Sequence, residues 1–329
     1  MYASGNGSKI FAILALINKP QQITDFYQAN VSNGNLPLRR SVIGKYPRHA
    51  FHDRTILPFT EYDPSPGKRG VLGTYKARIH PSHHGLLGVD GSDNVVIKAM
   101  GHKKEDFSQR TETYEALWFT PGLVEPLATF TFQGGDYLIL PWADGGSLAD
   151  LWAANPMPQK ITPELCRWTS SQFEELVRAI SMSTQLGPAA AEMGITGPGQ
   201  YGNLQPEDIL CFRREVSCGG VTDFDLRILN IRATTPHDQA AAAWSAPYSP
   251  PDFGIGSLTP RASDYWALGC IYLEFTTWLL LGYKAVEEFT KARRMDYGDG
   301  STLNEMFFFL SRRYRGGLCP KVKPVVTQL

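Results

Sequence analysis

Tyr201-Gly202-Asn203-Leu204-Gln205-Pro206-Glu207-Asp208-Ile209-Leu210 is the stretch on which the fold reading turns. Gly202, Leu204, Pro206, Ile209 and Leu210 shape a loop. Set among them are three polar residues, Asn203, Gln205 and Asp208: two amides and a carboxylate. Working outward, the flanking sequence after Gly146 is helical in pattern, over 147–153 and 163–185 before the stretch and over 261–281 and 284–294 after it. Further upstream, residues 75–79 alternate as a strand and 95–97 form a short apolar strand. Residues 104–118 read as a helix, and 128–132 with 137–140 as a hairpin around Gln133-Gly134-Gly135. Strands first and helices after predict an α+β fold in two parts of different class.

The chain has 329 residues, room for one large domain or two medium ones around a buried core. Its 32 basic and 32 acidic side chains cancel, which argues against nucleic acid or an anionic membrane as a partner. The longest apolar runs, near Phe11–Ile17 and Trp278–Leu281, fall well short of a bilayer span. The first has no basic flank and no small-residue cleavage site, so it reads as a buried helix and not a signal peptide. The five cysteines (Cys166, Cys211, Cys218, Cys270, Cys319) are odd in number and include no C-x-x-C pair. Reduced thiols in an intracellular protein, cytoplasmic or nuclear, are the expectation. Residues 1–50 read as a helical preface, periodic over 8–30 through Ile10, Phe11, Leu14, Ile17 and Phe26 and broken over 32–37. A loop-like stretch with Pro47, Pro58, Pro64 and Pro66 follows. His80, His83 and His84 have no Cys or acidic residue nearby in the sequence, so they read as a surface turn and not a metal site.

Four more segments stand in order with the decapeptide. Val95-Val96-Ile97-Lys98 is a strand ending in a cation. Tyr137-Leu138-Ile139-Leu140-Pro141-Trp142-Ala143 is a strand running into a proline. Asp223-Phe224-Asp225 and Asp264-Tyr265-Trp266-Ala267-Leu268-Gly269 come after it, with Pro250-Pro251-Asp252 between them. Each is weak alone. Together, in this order and at this rough spacing, they resemble the Ser/Thr-type protein kinase superfamily, whose catalytic loop reads H-[RG]-D-L-K-P-x-N-I-L. Lys9–Leu14, the Ile79–His84 turn and the Trp266–Leu281 run are similar to the kinase-like proteins of filamentous fungi, so the resemblance spans nearly the whole chain. It implies a bilobal fold, with a small β-rich N-lobe over 51–142 and a larger helical C-lobe over 143–329. Lys321–Val326 resembles a point well before the end of that helical lobe. The resemblance thus implies an incomplete C-lobe, with Asp252 lacking its arginine and core surface left uncovered.

The resemblance also implies roles. Lys98 is the lysine that meets the α- and β-phosphates of ATP. Leu140 is the gatekeeper, and the backbones of Pro141 and Ala143 face the base; proline is tolerated because that position offers its carbonyl. Gly70 and Gly73, with Gly67, form the phosphate loop as G-x-x-G-x-x-G in place of G-x-G-x-x-G, with Lys68 where glycine is required and Tyr75 near the place of a base-capping valine. Glu112 and Glu115 are the candidate partners of Lys98. Asp208 and Asp223 are the metal ligands, and Asp225 adds a third hard carboxylate for Mg²⁺. At the base position Asn203 cannot take up a proton, losing help worth roughly 10²–10⁴ in rate. Gln205 removes a charge that would steady the transferring phosphoryl group. A pseudokinase is therefore expected, holding ATP and Mg²⁺ weakly and acting through protein partners. The alternatives are a weakly active Ser/Thr kinase and a nucleotide-independent scaffold.

Overall fold

The structure is a computed structural model that describes residues 48–63, 74–80, 94–99, 120–192, 204–214, 220–229, 247–251, 260–294, 304–312 and 318–328. The expected helices over 8–30 and 104–118, the three loop glycines, Glu112 and Glu115, Asn203 and Asp252 lie outside those residues. The chain divides into two compact units, Met1–Phe107 with Glu125–Trp142, and Ser108–Val124 with Ala143–Leu329. The fold is mixed α+β.

The first unit is built on one six-stranded sheet. Its strands are β1 (Arg48–Ala50), β2 (Phe59–Asp63), β3 (Thr74–Ile79), β4 (Asn94–Ala99), β5 (Ala128–Phe132) and β6 (Gly135–Pro141), in the order β1-β5-β6-β4-β3-β2. Every pairing is antiparallel except that of β1 with β5. Residues 48–50 thus belong to the sheet and not to a helical preface, and β2 occupies the expected loop. The β5–β6 hairpin closes through Gln133 and Gly134, both at positive φ (49° and 75°), as a two-residue turn that matches strand twist requires. Alternation along the strands gives the sheet two faces. Ala77, Ile79, Val95, Ile97, Phe130 and Ile139 point to one face and make its core, with Phe51, Phe59 and Tyr137 packed against them. Phe130 and Tyr137 stack with centroids 4.9 Å apart.

The second unit is mainly helical. Its helices are α1 (Leu148–Ala154), α2 (Pro163–Glu192), α3 (Pro260–Leu281), α4 (Tyr283–Arg293) and the short α5 (Pro324–Thr327). Two antiparallel hairpins accompany them, β7 (Ile209–Arg213) with β8 (Phe224–Ile228), and β9 (Phe308–Arg312) with β10 (Leu318–Val322). Ser147 opens α1 with a capping box, its hydroxyl accepting from Asp150 N–H while the Asp150 carboxylate accepts from Ser147 N–H. Trp152, Trp168, Phe275 and Trp278 from α1, α2 and α3 form the centre of the core together with Leu176, Leu226 and Ile271. Among the described residues no helix is long and apolar enough to cross a membrane.

The C-terminal residues pack back on the second unit's helices. Val325 and Val326 pack against Cys270, Phe289 and Phe307. Lys323, only 2% exposed, donates from Nζ to the carbonyls of Arg293 and Asn304 at 2.5 and 2.9 Å. Side chains of the last hairpin and of α5 thus pack on α3 and α4.

Candidate functional site

In the first unit the pairing registers decide which candidate residues share a face. Lys98 lies across from Thr74 on β3 and Leu138 on β6; Val96 lies across from Lys76 and Leu140. Directly opposed residues project to the same side. Lys98, Val96, Lys76, Leu138 and Leu140 therefore share the face opposite Val95, Ile97 and Ile139. Leu138 and Leu140 are buried at 1% and 3% exposure, whereas Lys98 is half-buried. Two expected site residues, Lys98 and Leu140, thus stand on neighbouring strands with an apolar floor between them. Gly67, Gly70 and Gly73 fall in the connection between β2 and β3, whose ends are paired and antiparallel. Sequence reasoning missed Lys76 and Trp142: the Lys76 ammonium sits 4.4 Å from the centre of the Trp142 ring. Pro141 ends β6 opposite Val95.

In the second unit the described part of the decapeptide is a short 3₁₀ turn, Pro206–Asp208, leading into β7. Leu204 and Pro206 are buried and anchor it. The Asp208 carboxylate turns back to accept from the Gln205 backbone N–H at 3.2 Å, which stiffens the turn. Gly145 lets the α1 approach run against β7. A Cβ there would stand 2.7 Å from Cys211 Cβ and from the Phe224 ring. Close contact allows Gly145 N–H to donate to the Cys211 carbonyl at 3.0 Å.

The β7–β8 register separates the carboxylates that the sequence seemed to gather. Ile209 pairs with Ile228 and Arg213 with Phe224. One step beyond the first pair, Leu229 N–H donates to the Asp208 carbonyl at 2.8 Å. One step beyond the last, Arg214 N–H donates to the Asp223 carbonyl at 2.8 Å. Asp208 and Asp223 therefore mark opposite ends of the hairpin, six positions or roughly 20 Å apart at the usual rise per residue. They cannot share an ion, and the expected metal pair is corrected on that ground. What faces Asp208 is Leu229, a side chain with no donor atom for a cation.

The other carboxylates have work of their own. Asp223, 3% exposed, accepts from the Gly220 N–H at 2.9 Å and caps the turn Val221–Asp223. Asp225 points to the hairpin's outer face, where its carboxylate takes Arg214 Nε at 2.5 Å and approaches Arg227 at 4.0 Å. Among the described residues no group of three His, Cys, Asp or Glu side chains is placed to hold a metal ion. These residues do not fit Mg²⁺ as a resident ion.

The hairpin register is pinned from outside. On one edge of β8, Leu226 N–H donates to Gln172 Oε1 at 2.6 Å, and Trp168 Nε1 donates to the Phe224 carbonyl at 2.8 Å, both from α2. On the same strand, Ile228 exchanges hydrogen bonds with the 122–124 segment, its N–H donating to Gly122 and its carbonyl accepting from Val124. A six-residue slip would break all four. The signal that would have found this strand is plain alternation: Phe224, Leu226 and Ile228 are buried, while Asp225 and Arg227 lie on the other side. No protein-family model matches the chain, and no curated protein does.

Proposed function

We propose that this chain is a protein-kinase-like protein that does not transfer phosphate and works by binding other proteins. Support for the kinase-like part comes from the five antiparallel strands in the order β5-β6-β4-β3-β2, with a lysine at the end of β4, and from the helices and hairpin of the second unit in the order the five motifs require. The observation that carries the non-catalytic part is the hairpin register: it sets Leu229 across from Asp208 and leaves Asp223 at the far end. With Asn203 and Gln205 in the loop, base, cation and metal pair are all missing from the places where phosphoryl transfer needs them. Nucleotide is then held by Lys98 and the apolar Leu138–Leu140 floor, with no contribution from a metal.

The binding part is supported by a surface feature. Met157 and Ile161 in the α1–α2 connection are 72% and 52% exposed, and Leu280 and Leu281 at the end of α3 are 54% and 60% exposed. The two segments are tied by Gln159 N–H to the Leu279 carbonyl and Tyr283 N–H to the Pro156 carbonyl, each at 2.9 Å. Adjoining exposed aliphatic side chains are a mark of interaction surfaces.

The full chain incubated with labelled ATP and Mg²⁺ or Mn²⁺ should label neither itself nor general Ser/Thr substrates. Any thermal stabilisation by ATP should be the same with and without Mg²⁺. Mg²⁺-dependent transfer that disappears in Asp208→Asn or Asp223→Asn would overturn the proposal and favour the weak kinase.

A further inference from the structure

The contact between Lys76 and Trp142 spans the sheet face that carries Lys98 and Leu140. Lys76 is on β3, Val96 lies across from it on β4, and Leu140 lies across from Val96 on β6. Trp142 follows two residues after Leu140. For the Lys76 ammonium to stand 4.4 Å from the Trp142 ring centre, the two side chains together must bridge β4, a span of about two strand spacings, or 10 Å. The pair therefore lies at the end of this face that carries Val96, half-buried, and Leu140, 3% exposed. A planar base needs that same patch, and it needs the same π-face of Trp142 or the space over it.

We propose that Lys76 and Trp142 form a latch over the base-stacking face, so that a nucleotide enters only when the pair parts. The inference rests on the kinase-like reading above and deepens it: the protein's resting state is closed to adenine by its own side chains. Lys76 is exposed and Trp142 half-buried, so the contact is a surface cation–π pair that opens readily. A pair of that kind favours the closed state by about two- to fivefold. The apparent affinity for nucleotide falls by the inverse of the open fraction. Lys98 faces Thr74 and Leu138, one residue pair along the same face, and is left to meet the phosphates.

The test is ATP binding to the full chain by calorimetry, without metal, for the wild type, Lys76→Ala, Lys76→Arg, Lys98→Ala and Lys76→Ala/Lys98→Ala. Lys76→Ala should bind about three- to sixfold more tightly than wild type. Lys76→Arg, which keeps the cation, should match wild type, and both Lys98 variants should lose binding. With Trp142→Phe as the blank, acrylamide should quench Trp142 more in Lys76→Ala than in wild type. Equal affinity of wild type and Lys76→Ala, with binding still lost in Lys98→Ala, overturns the latch and leaves the nucleotide reading standing. Absence of binding in every variant overturns the latch and nucleotide contact together, while the absence of phosphoryl transfer is judged by its own assay.

Discussion

Glu274 and Arg293 are 2% and 1% exposed, with carboxylate oxygen and guanidinium nitrogen 2.6 Å apart. Tyr248 donates its hydroxyl to the second Glu274 oxygen at 2.6 Å, and burial with the neighbouring carboxylate keeps that phenol protonated well above its usual range. The Arg293 guanidinium lies between the Phe289 and Phe307 rings, 4.4 and 4.1 Å from their centres, and its Nε donates to the Glu305 carbonyl. Removing one member leaves the other charge buried and unanswered, at a cost of roughly 3–5 kcal/mol. Glu274→Ala should thus lower the stability of the full chain by about that amount in urea, whereas Glu274→Leu/Arg293→Met should lose clearly less. Equal losses for the single and double variants would show that the pair is not the stabilising unit. Thiol chemistry gives a second prediction at this scale. Burial drives the Cys211 and Cys270 thiols far above their ordinary pKa, and Cys166 is exposed. Iodoacetamide at neutral pH should modify Cys166 before Cys211 and Cys270 by mass spectrometry. Cys211 and Cys270 should react only after urea unfolds the chain; early labelling of either would contradict its burial.

Gln172 shows how one side chain fixes an element. It is fully buried on α2, and its Oε1 accepts the Leu226 N–H that β7 cannot reach, at 2.6 Å. Gln172→Ala leaves that N–H buried without a partner, costing roughly 1–3 kcal/mol. Protection of the Leu226 amide from hydrogen exchange should fall more steeply than that of α3 amides; a uniform change would place the effect elsewhere. The same hairpin shows the limit of reading motifs. Asp223-Phe224-Asp225 looked like a metal-binding turn because two letters of D-F-G matched, yet pairing is set by buried alternation on both strands and by edges tied to α2 and residues 122–124. Elements whose signal lies within themselves were legible. The α1 capping box, the apolar Val95–Ile97 run and the Gln133-Gly134 turn each carry their own cause. β2 was not legible, because Phe59–Asp63 is an edge strand with Thr60, Glu61 and Asp63 polar, and it is held by hydrogen bonds to β3 with Phe59 packed on the core.

At the scale of the molecule, the α+β class followed from the order of strand and helix patterns, since each unit closes a core of its own. The site followed only in part. Lys98 and Leu140 share a face because the register of neighbouring antiparallel strands sets Lys98 across from Leu138 and Val96 across from Leu140, and that much was implicit in two apolar runs. Whether two carboxylates meet depends on a hairpin register, which no spacing along the chain contains: the 15-position offset from Asp208 to Asp223 fits a shared ion or a separation of about 20 Å equally well, by roughly 3.3 Å per paired position. The separation has a thermodynamic consequence that tests it directly. Groups this far apart with no common ligand contribute additively, within about 0.5 kcal/mol. Asp208→Asn and Asp223→Asn each exchange a charged turn-stabilising acceptor for a weaker neutral amide oxygen, so each should destabilise the chain modestly, and the double variant should lose the sum. Urea unfolding with and without millimolar Mg²⁺ should give the same coupling energy, near zero, because a ligand stabilises only the state whose groups it engages. A coupling well above 1 kcal/mol that appears only with Mg²⁺ would put both carboxylates on one ion, and the register joining Ile209 to Ile228 would then be wrong.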